Sequence, residues 1–138
     1  MSYILDTCVI SELISKKPDK NVLNWFSDCE EEDLYISSLT LGELKYGIDI
    51  LPEGKRKNDL IIWFSKIIDA YKNSTLQVND NIALRWGEER ARLKKSGIQI
   101  SVIDSLIACT AIEFNFTLVT RNTPDFKLTG VNLLNPWL

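Results

Sequence analysis

The chain has 138 residues, 45% of them hydrophobic and 25% charged, enough for one domain with its own core and too few for two of ordinary size. That balance excludes disordered, collagen-like and low-complexity classes. Sixteen basic and nineteen acidic residues give a net charge of −3, which excludes a protein that coats nucleic acid with a global positive field. A polyanion must be met through a local basic patch or bound cations.

Short apolar runs alternate with helical periodicity along the chain. Tyr3-Ile4-Leu5 reads as a strand ending at Asp6, followed by a helix over 9–15 that Pro18 and Asp19 break. A second helix over 20–29 carries Val22, Leu23 and Phe26 on one face, and the acidic run Glu30 to Asp33 reads as a solvated loop. Leu34 to Ser37 reads as a strand, and Leu41, Leu44 and Ile48 mark a helix over 41–50. After Pro52 and Gly54, the stripe Leu60, Trp63, Phe64, Ile67, Ile68 and Tyr71 predicts a helix over 57–71.

A short strand over 75–78 follows, then a helix capped by Asn79 or Asp80, striped by Ile82, Trp86 and Leu93, and closed by Gly97. A sixth helix over 101–114 points Ile103, Leu106, Ile107 and Phe114 inward, with Asn115 as its C-cap. Thr117 to Thr120 has the β-branched signature of a buried strand, 121–125 is a loop of turn formers, and 131–134 is a last strand. Strands alternating with helices predict one α/β domain over 1–138, its parallel sheet covered on both faces.

The chain has no histidine. Ser-His-Asp triads, imidazole-ligated zinc and nucleases that use imidazole as acid and base are therefore excluded. Cys8, Cys29 and Cys109 form no C-x-x-C pair and are odd in number, which argues against a disulfide framework or zinc site and for a reducing cytoplasm. The N-terminus has no basic region followed by an apolar run, so no secretory leader is expected. No apolar stretch approaches a membrane span.

In open parallel sheets, ligands bind beyond the carboxyl ends of the strands. Asp6 directly follows the first strand, Glu43 lies six residues after Ser37, Asp104 falls in the first turn of the sixth helix, and Asp125 follows the strand at 117–120. If these four carboxylates meet, their mutual repulsion raises at least one pKa unless a cation intervenes. Mg²⁺ suits such oxygen donors, binds phosphate oxygens and activates water without an imidazole. Each acid also has a purely structural reading. Thr40-x-x-Glu43 and Ser101-x-x-Asp104 are capping patterns, and Asp6 and Asp125 suit a cap or turn.

Four segments carry a resemblance. Ile4-Leu5-Asp6-Thr7, the run Ser37 to Gly47 (SSLTLGELKYG), Asp104-Ser105-Leu106-Ile107-Ala108 and the run Leu118 to Phe126 (LVTRNTPDF) resemble the successive motifs of PIN domains. The VapC-type toxin ribonucleases of bacterial toxin–antitoxin pairs are the most similar subgroup, and the terminal run Gly130 to Trp137 fits it as well. The resemblance implies a PIN-like three-layer α/β/α fold with a short, mainly parallel sheet. It also implies Mg²⁺- or Mn²⁺-dependent endoribonuclease activity, a homodimer, and inhibition by a cognate antitoxin in a hetero-oligomer.

Asp6, Glu43 and Asp104 match the three principal acids of those motifs, and Asp125 matches the fourth, directly before the phenylalanine. Asp6 and Asp104 are expected to bear most of the metal binding, and Glu43 and Asp125 to complete the pocket and orient or deprotonate water. Two positions depart from the pattern: Cys8, where Asn or Ser is usual, and Asn122, where many PIN domains place an Asp.

Lys55 to Lys57 and Arg90 to Lys95 read first as solvated helix faces and second as an RNA track. Trp63 and Trp86 read as core or dimer packing, Arg121 as a phosphate contact and Cys109 as a small buried hydrophobe. Two other functions compete. A phospho-accepting receiver domain wants an acidic pair at the first strand, where only Asp6 stands. A non-catalytic partner-binding module would use the acidic pocket merely to receive an arginine from another chain.

Overall fold

A computed structural model describes all residues, 1–138. Five strands form one sheet: β1 (Tyr3–Leu5), β2 (Leu34–Ser37), β3 (Thr75–Leu76), β4 (Thr117–Val119) and β5 (Leu133–Leu134). Their order is β3-β2-β1-β4-β5, and every neighbouring pair is parallel. Seven α-helices cover it: α1 (Thr7–Leu13), α2 (Lys20–Asp28), α3 (Ser38–Asp49), α4 (Lys55–Ala70), α5 (Asp80–Lys95), α6 (Val102–Phe114) and α7 (Thr123–Phe126).

The side-chain period of two divides the core into two halves. Leu5, Leu34, Ile36 and Val119 point to one face and pack with Val9, Ile10, Val22 and Leu44 of α1, α2 and α3, while Trp63 and Phe64 of α4 and its C-cap Tyr71 close over them. Ile4 and Leu118, one residue earlier on their strands, point the other way against Ile107, Ala108 and Ala111 of α6 and Phe126 of α7. Helices on both faces of a short parallel sheet give the expected three layers.

The elements fall where the periodicity placed them, and the differences have local causes. α1 starts at Thr7 rather than at 9 because the Asp6 side chain caps it. α3 starts at Ser38 rather than 41 because Ser37 Oγ accepts from Leu39 N at 3.1 Å. The acidic run contains a 3₁₀ turn over Glu31–Asp33. The loop expected over 121–125 winds into α7, which Pro124 favours by supplying a fixed φ in the first turn. Asn79 caps α5, and Gly97 (φ +74°) closes it in the left-handed region. Asn115 (φ 57°) ends α6 as expected, but Phe114 is exposed rather than inward, as is Ile68 on α4.

Candidate active site

Strand order reverses at β1: β2 and β3 are added on one side, β4 and β5 on the other. The crevice beyond the carboxyl ends of β1 and β4 is therefore the topological switch point, where open α/β sheets bind ligands. The parallel register pairs Leu5 with Val119, so the next residues, Asp6 and Thr120, emerge side by side.

Asp6 is the most enclosed of the four acids, at 5% exposure. Its Oδ1 accepts from Thr7 N at 2.9 Å, and its Oδ2 accepts from the buried Thr120 hydroxyl at 2.8 Å. Thr7 ties a second acid to the first: its Oγ1 donates to Glu43 Oε1 at 2.5 Å and lies 3.3 Å from the fully buried Thr40 hydroxyl. Because α3 starts at Ser38, Glu43 sits in its second turn rather than the first, facing Thr7. Thr40 is thus no N-cap, and the Thr40–Glu43 capping box does not form.

Asp104 is the third residue of α6, where its backbone N donates to the N-cap Ser101 Oγ at 3.1 Å. The Asp104 side chain is half-buried. Asp125 is exposed in the first turn of α7, its N bonded to Asn122 O at 3.0 Å.

Burial is the main reason the Asp6 carboxyl titrates above the ordinary carboxylate range; the Thr120 and Thr7 hydrogen bonds oppose it, and the charges of Asp104 and Glu43 push it further up. Asp104 is likewise raised, first by burial, against help from Ser101, and then by the charge of Asp125. The charges of Glu43 and Asp104 act on Asp6, and that of Asp125 acts on Asp104, so each of the four acids has at least one other as an electrostatic neighbour. They do not form a closed cage, since no three Asp, Glu, Cys or His side chains converge within reach of one ion.

None of the four acids is in a salt bridge; every ion pair lies elsewhere, on the helix surfaces. Oxygen donors alone, with raised carboxyls and no basic partner, suit a hard cation that keeps most of its waters and needs only one or two direct carboxylates.

Cys8 lies in the same pocket, Sγ 3.7 Å from both Asp6 Oδ2 and Thr120 Oγ1. Burial, then the Asp6 charge, pushes its thiol up, which leaves it a protonated hydrogen-bonding group rather than a nucleophile. Asn122 contributes its backbone N, bonded to Thr120 Oγ1 at 3.0 Å, and makes no side-chain cap. Arg121 lays its guanidinium over the Trp137 ring at 4.7 Å and forms no ion pair with the acids. Cys109 is buried, its thiol pushed up to about 11 by burial.

Sequence reasoning missed Thr7 and Thr120. The signal for Thr120 was its place one residue past β4, matching Asp6 one residue past β1, but it becomes readable only once the strand register is known.

Fold and site together define a parallel-sheet α/β domain with an unpaired acidic pocket at the switch point. The PIN-domain family model matches residues 3–130, and the chain belongs to that family. Its relatives include the VapC ribonuclease Y4jK of Sinorhizobium fredii, 34% identical over 135 residues that cover 97% of this chain and 96% of that protein. Toxin FitB of Neisseria gonorrhoeae is 33% identical over 135 residues, 97% of each chain. The crystal structure of FitAcB from Neisseria gonorrhoeae matches with a TM-score of 0.92 at 33% identity over 98% of each chain.

Proposed function

We propose that this protein is a metal-dependent endoribonuclease, the toxin of a toxin–antitoxin pair. The observation that carries the reading is the set Asp6, Glu43, Asp104 and Asp125, without any basic counter-ion, in which the Asp6 and Asp104 carboxyls are raised in pKa. A relative named as a ribonuclease spans nearly the whole chain and supports RNA as the substrate.

Asp6 and Asp104 would hold a Mg²⁺ or Mn²⁺ ion, with Glu43 and Asp125 completing the pocket. Such an ion, when bound, supplies charge neutralisation at phosphate and a lowered pKa for water. Hydrogen bonds from Thr120 and Thr7 favour the ionised form of Asp6 and aim it, and Thr7 also bonds Glu43. Glu43 and Asp125 orient the attacking water and take its proton. With no imidazole to activate a ribose 2′-hydroxyl, in-line attack by water leaves a 5′-phosphate and a free 3′-hydroxyl.

The same acidic pocket would accept a cationic side chain from an antitoxin, which supports inhibition by a cognate partner. A homodimer, a hetero-oligomer with that partner and a cytoplasmic location complete the reading. No helix is long and apolar enough to cross a membrane.

Purified, antitoxin-free protein is incubated with total RNA and Mn²⁺ or Mg²⁺, and the product ends are mapped. Cleavage that EDTA stops and that Asp6→Asn and Asp104→Asn abolish supports the proposal. RNA left intact by the pure protein with either metal overturns it in favour of a partner-binding module.

A further inference from the structure

A half-open cavity of about 630 Å³ lies between the C-terminal half of α5 and the segment that leads into α6, walled by Trp86, Arg90, Lys94, Ile98, Gln99 and Ile100. Its size is that of a small-ligand pocket, and its wall at Ile98 to Ile100 leads directly into the start of α6, which carries Asp104. Trp86 Nε1 donates to Ser105 Oγ at 2.9 Å, and Ser105 follows Asp104. The indole is thus anchored to the helical turn that presents one of the four acids.

The cavity combines an aromatic ring with unpaired cations. Arg90 places its guanidinium 5.1 Å from the centre of the Trp86 ring, so two flat groups are stacked at the wall. On the same helix Arg85 is paired with Glu113 and Arg92 with Glu89, whereas Arg90 and Lys94 have no carboxylate partner. In a chain of net charge −3, two unpaired cations on one cavity wall create a local field that attracts phosphate. Gln99 is exposed at the rim, and its amide offers both a donor and an acceptor.

Nucleobases stack on aromatic rings and guanidinium planes, and RNA proteins read them where they are unpaired, since the edges of an A-form duplex are out of reach. We propose that this cavity is a nucleotide subsite that receives an unpaired base of single-stranded RNA next to the bond to be cut. Trp86 and Arg90 stack on the base, Lys94 meets a flanking phosphate, and Gln99 reads the base edge. The subsite rests on the ribonuclease reading above for the identity of its ligand.

Binding of a short fluorescein-labelled single-stranded RNA, followed by anisotropy in EDTA so that nothing is cut, tests it. Arg90→Gln/Lys94→Gln should weaken binding at least ~10-fold and make the slope of log K against log salt shallower by about 0.7–1.4. Lys66→Gln/Lys72→Gln, which removes the same charge from α4 and its end, should stay within about twofold of wild type, and a duplex of the same sequence should compete poorly. Equal losses in the two double variants, no loss in the first, or a first variant that turns a dimer into a monomer in sedimentation overturns the subsite, the last because the face is then a contact between copies. Wild-type cleavage with Mn²⁺ is measured in parallel. RNA that binds through Arg90 and Lys94 without being cut would sink the ribonuclease reading and leave the subsite standing. RNA that is cut with an unchanged KM by the Arg90/Lys94 variant would do the reverse.

Discussion

The Thr120 hydroxyl donates a 2.8 Å hydrogen bond to Asp6 Oδ2, joining residues 114 positions apart at the ends of neighbouring parallel strands. Thr120 is fully buried, and the same oxygen accepts from Asn122 N. Thr120→Val removes the donor to buried Asp6 and the acceptor of Asn122 N, at a cost of about 1–3 kcal/mol in stability. It also raises the Asp6 carboxyl further, so the acid limb of the cleavage profile should move to higher pH, while Thr120→Ser keeps both properties. Urea denaturation and a pH–rate profile check this, and an unmoved acid limb in Thr120→Val would refute the role assigned to the hydroxyl.

The raised carboxyls set the pH dependence of the metal-free protein. Asp6 and Asp104 hold their protons to higher pH in the folded chain than in the unfolded one. Folded protein therefore binds more protons between the ordinary carboxyl range and the raised values, and stability falls as pH rises through that window. Asp104→Asn should flatten the fall and stabilise the metal-free protein by roughly 0.5–1 kcal/mol, a small gain because Asp104 is partly screened by solvent. Urea midpoints in EDTA from acid to neutral pH are the measurement.

Added divalent metal reverses that cost. Saturating Mn²⁺ or Mg²⁺ at 100 times its dissociation constant should stabilise the wild type by about 2.7 kcal/mol. Asp6→Asn and Asp104→Asn should lose most of this gain, and Asp125→Asn, which is exposed, less of it. Thermal melts with and without metal decide the ranking, and identical melts for wild type and Asp6→Asn would remove Asp6 as a ligand.

Cys8 is a hydrogen-bonding neighbour of Asp6 with a thiol pushed up by burial. Cys8→Ser keeps a donor of similar size, so cleavage should stay within about threefold of wild type. Iodoacetamide should label the native thiol more slowly than a model thiol. Loss of cleavage in Cys8→Ser, with the fold intact by circular dichroism, would show that sulfur itself is needed.

Much of this protein is local information. Tyr3 to Leu5 and Thr117 to Val119 are apolar runs bounded by polar residues, so their strands and the alternation that splits Ile4 from Leu5 are set by neighbours in the chain. The absence of histidine, the acids Asp6, Glu43 and Asp125 that follow strands, and Asp104 at a helix start likewise narrow the chemistry from sequence alone. Helix starts were less legible, because a side-chain cap outweighs the first apolar position: Ser37 moved α3 forward and turned Glu43 from a supposed cap partner into the acid that Thr7 holds.

Tertiary structure alone decided which residues surround Asp6. Thr120 and Asp6 meet because Leu5 pairs with Val119 in the sheet, a register that no single segment encodes. Whether charges separated by scores of residues feel one another depends on distances across the fold, whereas strand and helix formation depends on residues a few positions apart.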